Sequence, residues 1–139
     1  MAGTFIWIAR FARRPRLREC CEWNGVHVSR RYCLTLDLKN DPALIAEYKR
    51  QHEKIWPEVA ASMRGSGVIG MEIYLRGTRM FMIMEVRDDF SLETKDRADR
   101  EDPKVREWEE LMGKYQQTLP GTKPGEKWLL MEKIFDLNA

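Results

Sequence analysis

From Arg31 onward the apolar residues follow two periods, and each change of period marks a new element. Tyr32, Leu34, Leu36 and Leu38 alternate with Cys33, Thr35 and Asp37, which predicts a strand with one apolar face. Asn40-Asp41-Pro42 then reads as a helix start. Asp41 can cap the first turn, and Pro42 can sit where a missing N–H costs nothing. A helical periodicity runs to about Arg64 and ends at Gly65-Ser66-Gly67. Ile69, Met71, Ile73 and Leu75 alternate with Gly70, Glu72 and Tyr74, giving a second strand. Arg76-Gly77-Thr78-Arg79 is a turn, and Met80–Val86 is apolar on both sides except at Glu85, as a central, well-covered strand would be. The short connection makes these two strands a hairpin. Asp88–Arg100 is charged, with Phe90 and Leu92 as expected anchors. Asp102-Pro103 repeats the cap-and-proline signal, and Val105, Trp108, Leu111, Met112 and Tyr115 recur at helical spacing. Residues 119–125 are a Pro- and Gly-rich loop, and Lys127–Phe135 reads as the last strand.

The resulting order, strand-helix-strand-strand-helix-strand, predicts an α+β, ferredoxin-like βαββαβ fold on an antiparallel sheet. With both helices on one face, the other face of the sheet needs cover, and face-to-face dimerisation is the simplest way to supply it.

The chain's 139 residues are 43% hydrophobic and 33% charged, which suits one globular domain. Its net charge of +2 is unevenly placed. Residues 1–30 hold six Arg and two Glu and carry +4, while the remaining 18 basic and 20 acidic residues carry −2. A mildly acidic folding portion argues against nucleic acid as a partner. The apolar patch Phe5–Phe11, interrupted by Arg10, is far shorter than the roughly 20 residues of a spanning helix. We therefore divide the chain into an N-terminal extension (1–30), expected to be disordered or loosely docked through Phe5, Trp7 and Phe11, a folded domain (31–137), and a two-residue tail (138–139). An Arg-rich targeting peptide is the lesser reading of the extension, because the basic run follows the apolar patch instead of preceding it. His27 receives no role. Three cysteines (Cys20, Cys21, Cys33), without a CxxC pair or a Cys/His cluster, point to reduced thiols, a cytoplasmic protein and no metal site.

At 100° per residue, Leu44, Ile45, Tyr48, His52, Ile55, Trp56, Val59 and Met63 fall within about 120° of arc. Tyr48 and His52 are therefore neighbours one turn apart on a face turned toward the sheet, with Trp56 one turn further. Pro57 should kink this helix or start another. An aromatic trio on a buried face is ordinary core material, and a single His there often just satisfies one hydrogen bond. Yet His52 is the only His of residues 31–137. An imidazole that can give and take a proton, a phenol and an indole together suit a neutral, ring-shaped polyol. Glu72, Glu85 and Tyr74 on the strands could bind hydroxyls, Trp108 could line the site from the second helix, and Trp128 could rim it. Arg76 and Arg79 read as solvated turn residues, and the Met80, Met82 and Met84 run as packing. No phosphate loop, nucleotide fingerprint or HExxH motif is present.

The stretch Glu47-Tyr48-Lys49-Arg50-Gln51-His52-Glu53-Lys54-Ile55-Trp56-Pro57-Glu58 resembles the signature of the L-rhamnose mutarotase family. The hairpin Gly70-Met71-Glu72-Ile73-Tyr74-Leu75 with Met80–Val86, and Trp108 with Met112, resemble later pieces of the same family, so that the similarity spans about Arg31 to Leu137. The resemblance implies a homodimer whose sheets pack face to face as a dimeric α/β barrel. It implies interconversion of the α and β anomers of a deoxyhexose pyranose, with no metal and no nucleotide. It also implies that Tyr48 and His52 form the acid/base pair, with Trp56 and Trp108 binding the sugar. Rhamnose-type members carry a second tryptophan after the first in the late helix, whereas here Glu109 follows Trp108. The run Gln116-Gln117-Thr118-Leu119-Pro120 is more similar to relatives linked with L-fucose breakdown. Either 6-deoxy-L-hexose is therefore expected as the substrate. Two other functions share the architecture: a cofactorless monooxygenase with a mostly apolar pocket, and a non-catalytic small-ligand binding module.

Overall fold

The computed structural model describes residues 29–139. The extension expected over residues 1–30, apart from its last two residues, and the readings of His27, Cys20 and Cys21 lie outside the described residues. Among the described residues the elements are β1 (Arg30–Leu38), α1 (Pro42–Glu53), α2 (Pro57–Gly65), β2 (Val68–Arg76), β3 (Arg79–Val86), α3 (Leu92–Glu101), α4 (Pro103–Gly113), β4 (Gln116–Gln117) and β5 (Leu129–Leu130). The architecture is mixed α+β on an antiparallel sheet. Its order is β2-β3-β1-β4, with β5 also paired to β1. Among the described residues no helix is long and apolar enough to cross a membrane.

The alternation read along the strands becomes a division between two sheet faces. In the β1–β3 register Leu34 meets Met82 and Leu36 meets Met80, and in the β2–β3 register Ile73 meets Met82 and Leu75 meets Met80. Residues directly opposite each other in an antiparallel pair project to the same face. Leu34, Leu36, Leu38, Met80, Met82, Met84 and Val86 accordingly form one buried face, and the helices lie over it. One core cluster joins Leu36, Leu38 and Met80 to Tyr48, Val59, Trp108, Met112 and Tyr115. A second joins Leu34, Met82, Met84 and Val86 to Val68 and Phe90. The hairpin turns at Gly77, whose φ of 60° lies in the left-handed region that a side chain disfavours.

Both anticipated helix starts are capped as their residues dictate. Asp41 Oδ1 accepts from the Ala43 N–H at 2.9 Å, and Asp102 Oδ1 accepts from the Lys104 N–H at 2.9 Å. Pro57 breaks the long periodic segment in two. Its ring cannot coexist with the carbonyl four residues back, so α1 stops at Glu53 and α2 begins at the proline itself.

Two segments depart from the sequence reading. The charged stretch after Asp88 contains a full helix, α3, capped by Ser91. The last strand, expected over Lys127–Phe135, pairs only at Leu129–Leu130, and the Met131 N–H donates to the Cys33 carbonyl just beyond it. Beyond that point the chain leaves the covered part of the sheet, and Ile134, Phe135 and Leu137 stay 76–90% exposed.

Met80 is 1% exposed at the point where β3 meets the helical layer. Met80→Ala should therefore lower stability by about 2–5 kcal/mol, read as a shift of the urea midpoint with an unchanged slope.

Candidate active site

The geometry of α1 places Tyr48 and His52 on the sheet side, one turn apart. Their ring centroids are 4.3 Å apart and their planes are inclined by 34°. His52 Nδ1 lies 2.9 Å from the Tyr48 backbone oxygen. A carbonyl can only accept, so Nδ1 carries the hydrogen and Nε2 is left with its lone pair. The break at Lys54–Trp56 then swings the chain so that Trp56 meets Trp108 edge to face at 5.4 Å. Trp108 also presents an edge-to-face contact to His52, at 5.5 Å. Tyr115, at the end of the α4 stripe, closes on Tyr48 at 6.1 Å, and the Lys104 ammonium sits 5.7 Å from the Trp56 ring centroid. The imidazole is thus held between a phenol and an indole.

Burial sets the protonation states. It pushes the Tyr48 phenol up to about 12, and a hydrogen bond with the Gln116 side chain offsets part of that rise. Burial likewise holds His52 below its ordinary 6.5, opposed in part by the bond to the Tyr48 carbonyl. At neutral pH the pair is a neutral imidazole with a free acceptor beside a phenol that keeps its proton. Such a pair can take a proton from one oxygen and give one to another. The Oε1 of Gln116 is buried without a hydrogen-bond partner, an arrangement that costs about 1–3 kcal/mol. Among the described residues no group of three or more His, Cys, Asp or Glu could hold a metal ion.

Residues 31–137 match the family model described as L-rhamnose mutarotase. The chain belongs to the L-rhamnose mutarotase family. It is 44% identical over 110 residues to an L-fucose mutarotase of Xanthomonas campestris pv. campestris, a match covering 78% of this chain and 88% of the relative. It is 30% identical over 86 residues to an L-rhamnose mutarotase of Acidiphilium cryptum, covering 60% and 79%. The solved L-rhamnose mutarotase of Formosa agariphila shares the fold, with a TM-score of 0.58 over 78% of this chain and 98% of that one at 20% identity. Mutarotase-type sugar isomerisation is therefore the general activity of the family to which the chain belongs.

Within this mutarotase-family fold, five of the residues singled out by sequence come together. Tyr48, His52, Trp56 and Trp108 are in ring contact, and Trp128 packs on the same cluster. Glu72, Tyr74 and Glu85 do not join them. In the β2–β3 register they pair with Ile83, Phe81 and Gly70, on the face away from the helices. There the Tyr74 hydroxyl donates to Glu72. Glu85 lines a cavity of about 790 Å³ with Cys33, Phe81 and Met131 among others. Glu109 turns toward α3 rather than toward the aromatic cluster. Burial and the nearby Asp99 carboxylate raise its pKa, while Lys127 and Lys95 oppose that rise. Tyr115 and Gln116 are the site residues that sequence reasoning passed over. Tyr115 did carry a signal, as the last member of the α4 stripe. Gln116 carried none, because only its pairing with Leu38 turns it inward.

The imidazole of His52 should titrate below 6.5. The measurement is an NMR titration of ring proton shifts in a His27→Gln background, which leaves one imidazole; a midpoint at or above 6.5 would contradict the buried, neutral assignment.

Proposed function

We propose that this protein is an aldose mutarotase that interconverts the α and β anomers of a 6-deoxy-L-hexopyranose, with L-fucose preferred over L-rhamnose. The observation that carries the proposal is the His52–Tyr48 pair: an imidazole with Nδ1 tied down and Nε2 open, one helical turn from a protonated phenol. His52 Nε2 removes the proton of the anomeric hydroxyl. The C1–O5 bond breaks as C1 becomes the aldehyde carbon, and Tyr48 gives its proton to O5. Rotation about C1–C2 presents the other carbonyl face. Closure then runs the same transfers backwards, restoring neutral imidazole and phenol, so atoms and charge balance without an added reactant. Trp56 and Trp108 supply apolar surface for the ring face and the methyl group, and confining the open-chain aldehyde against that surface favours reclosure. The preference for L-fucose is supported by the 44% identity to an L-fucose mutarotase.

We further propose that the working form is a homodimer closed over the outer sheet face, giving the ferredoxin-like chain its dimeric α/β barrel. Support comes from the apolar groups left on that side and in the C-terminal segment: Met131, Ile134, Phe135 and Leu137 are 47–90% exposed. Phe135→Asp should lower the sedimentation mass from two chains to one at micromolar concentration; a wild type that sediments as a single chain would refute the dimer.

Saturation-transfer NMR between the anomeric protons tests the activity. The protein should accelerate exchange of L-fucose more than of L-rhamnose, and His52→Ala should slow it by at least about 10²-fold while the circular dichroism spectrum stays unchanged. Because the base acts in its neutral form, kcat/KM should be flat above 6.5 and fall as pH drops through the depressed His52 value. Binding of the sugar without faster exchange would make the protein a binding module instead.

A further inference from the structure

We propose that Lys104 is a positioning residue: together with Trp108, one turn further along α4, it clamps the indole of Trp56 and so fixes the apolar surface on which the sugar ring rests. This inference rests on the mutarotase reading above. Trp56 occupies the break between two helices. Its backbone is extended, with φ −62° and ψ 137°, and its side chain makes no cap hydrogen bond to α2. Neither helix therefore fixes the direction of the ring, and that direction has to come from what the ring touches. Trp108 meets it edge to face at 5.4 Å, and the Lys104 ammonium lies over it, 5.7 Å from the centroid. Residues four apart share one face of a helix, so α4 supplies both contacts from adjacent turns. The indole is half-buried, which leaves part of it for a ligand.

The placement of Lys104 is otherwise unfavourable. It is the second residue of α4, directly after Pro103, and a cation in a first turn is opposed by the helix dipole. Its ion pair with Glu107, at 3.0 Å, lies on the helix surface with both side chains more than half exposed, and such pairs contribute little. What the ammonium gains in this position is the indole, because a cation held over an aromatic ring is attracted by the negative charge of the ring's face. The hydrogen bond to Glu107 also raises the lysine pKa above its ordinary 10.5, so the cation persists throughout the neutral range. The contact reaches the chemistry through two rings: Trp56 packs on Trp108, and Trp108 packs on His52. Lys104 thus acts on the binding surface and not on the proton transfers.

The test is Lys104→Met, which keeps the length of the stem and removes the charge, beside Lys104→Arg, which keeps a cation able to stack on the ring. For L-fucose anomer exchange, Lys104→Met should raise KM about two- to fivefold, the scale of one exposed contact of this kind, with kcat changed by less than about twofold. Lys104→Arg should bring KM back to within about twofold of the wild type. In a Trp56→Leu background, which offers no aromatic face, Lys104→Met should leave KM nearly unchanged, because its effect runs through the indole. In protein labelled with 5-fluorotryptophan, the Trp56 signal, assigned among the five tryptophans by its loss in Trp56→Leu, should move or broaden in Lys104→Met. An unchanged KM, an equal rise in both backgrounds, a Lys104→Arg variant that behaves as Lys104→Met, or an unaltered Trp56 signal would overturn the assignment. A wild type that fails to accelerate exchange refutes the mutarotase reading instead, and the fluorine signal still decides whether Lys104 holds the indole.

Discussion

One hydrogen bond, from the His52 ring to the carbonyl of Tyr48, decides what this site can do. It selects the tautomer and so leaves the unshared electron pair on Nε2. Without it the imidazole could rotate, and its two nitrogens would compete for the same task. The bond is made within one turn of one helix, so the imidazole and its phenolic neighbour move as a unit. No loop has to close for the two to meet.

That local arrangement is useful only because the surrounding layer is rigid. Trp108 touches both His52 and Trp56, and its own ring is 6% exposed, wedged into the cluster that includes Leu36, Leu38 and Met80. The alternation of the strands therefore reaches the site directly, because the residues that form the sheet's inner face also form the floor beneath the indole. The same inner face separates the site from the outer one, where Glu72, Tyr74 and Glu85 lie. Acidic groups are in this way kept from the imidazole, and burial rather than a neighbouring carboxylate governs its proton affinity.

Much of this was legible in the residues. Asp41-Pro42 and Asp102-Pro103 marked two helix starts, and the spacing of Tyr48, His52 and Trp56 put the trio on one face. Strand parity was harder to use. Met80–Val86 is apolar at nearly every position, so the pattern alone did not say which face would meet the helices, and Glu85 could be placed on either. The helix after Ser91 was hidden by its charge. It buries an aspartate, Asp99, by pairing it with Lys95 one turn away, and no apolar stripe announces it. Gln116 was illegible for a different reason: its direction comes from pairing with Leu38, a residue 78 positions earlier in the chain.

The early end of α1, imposed by Pro57, bears on the proposed reaction as well as on the path of the chain. A helix carries a partial negative charge at its carboxyl end, felt mainly within the last turn, and His52 occupies that turn. In the resting site the imidazole is neutral and this field has little to act on. Once the ring nitrogen has taken a proton, the same field attracts the new cation at the moment it forms. In the proposed reaction, a proline five residues downstream would thus supply electrostatic relief to a short-lived charge, in a position that no acidic side chain is needed to fill.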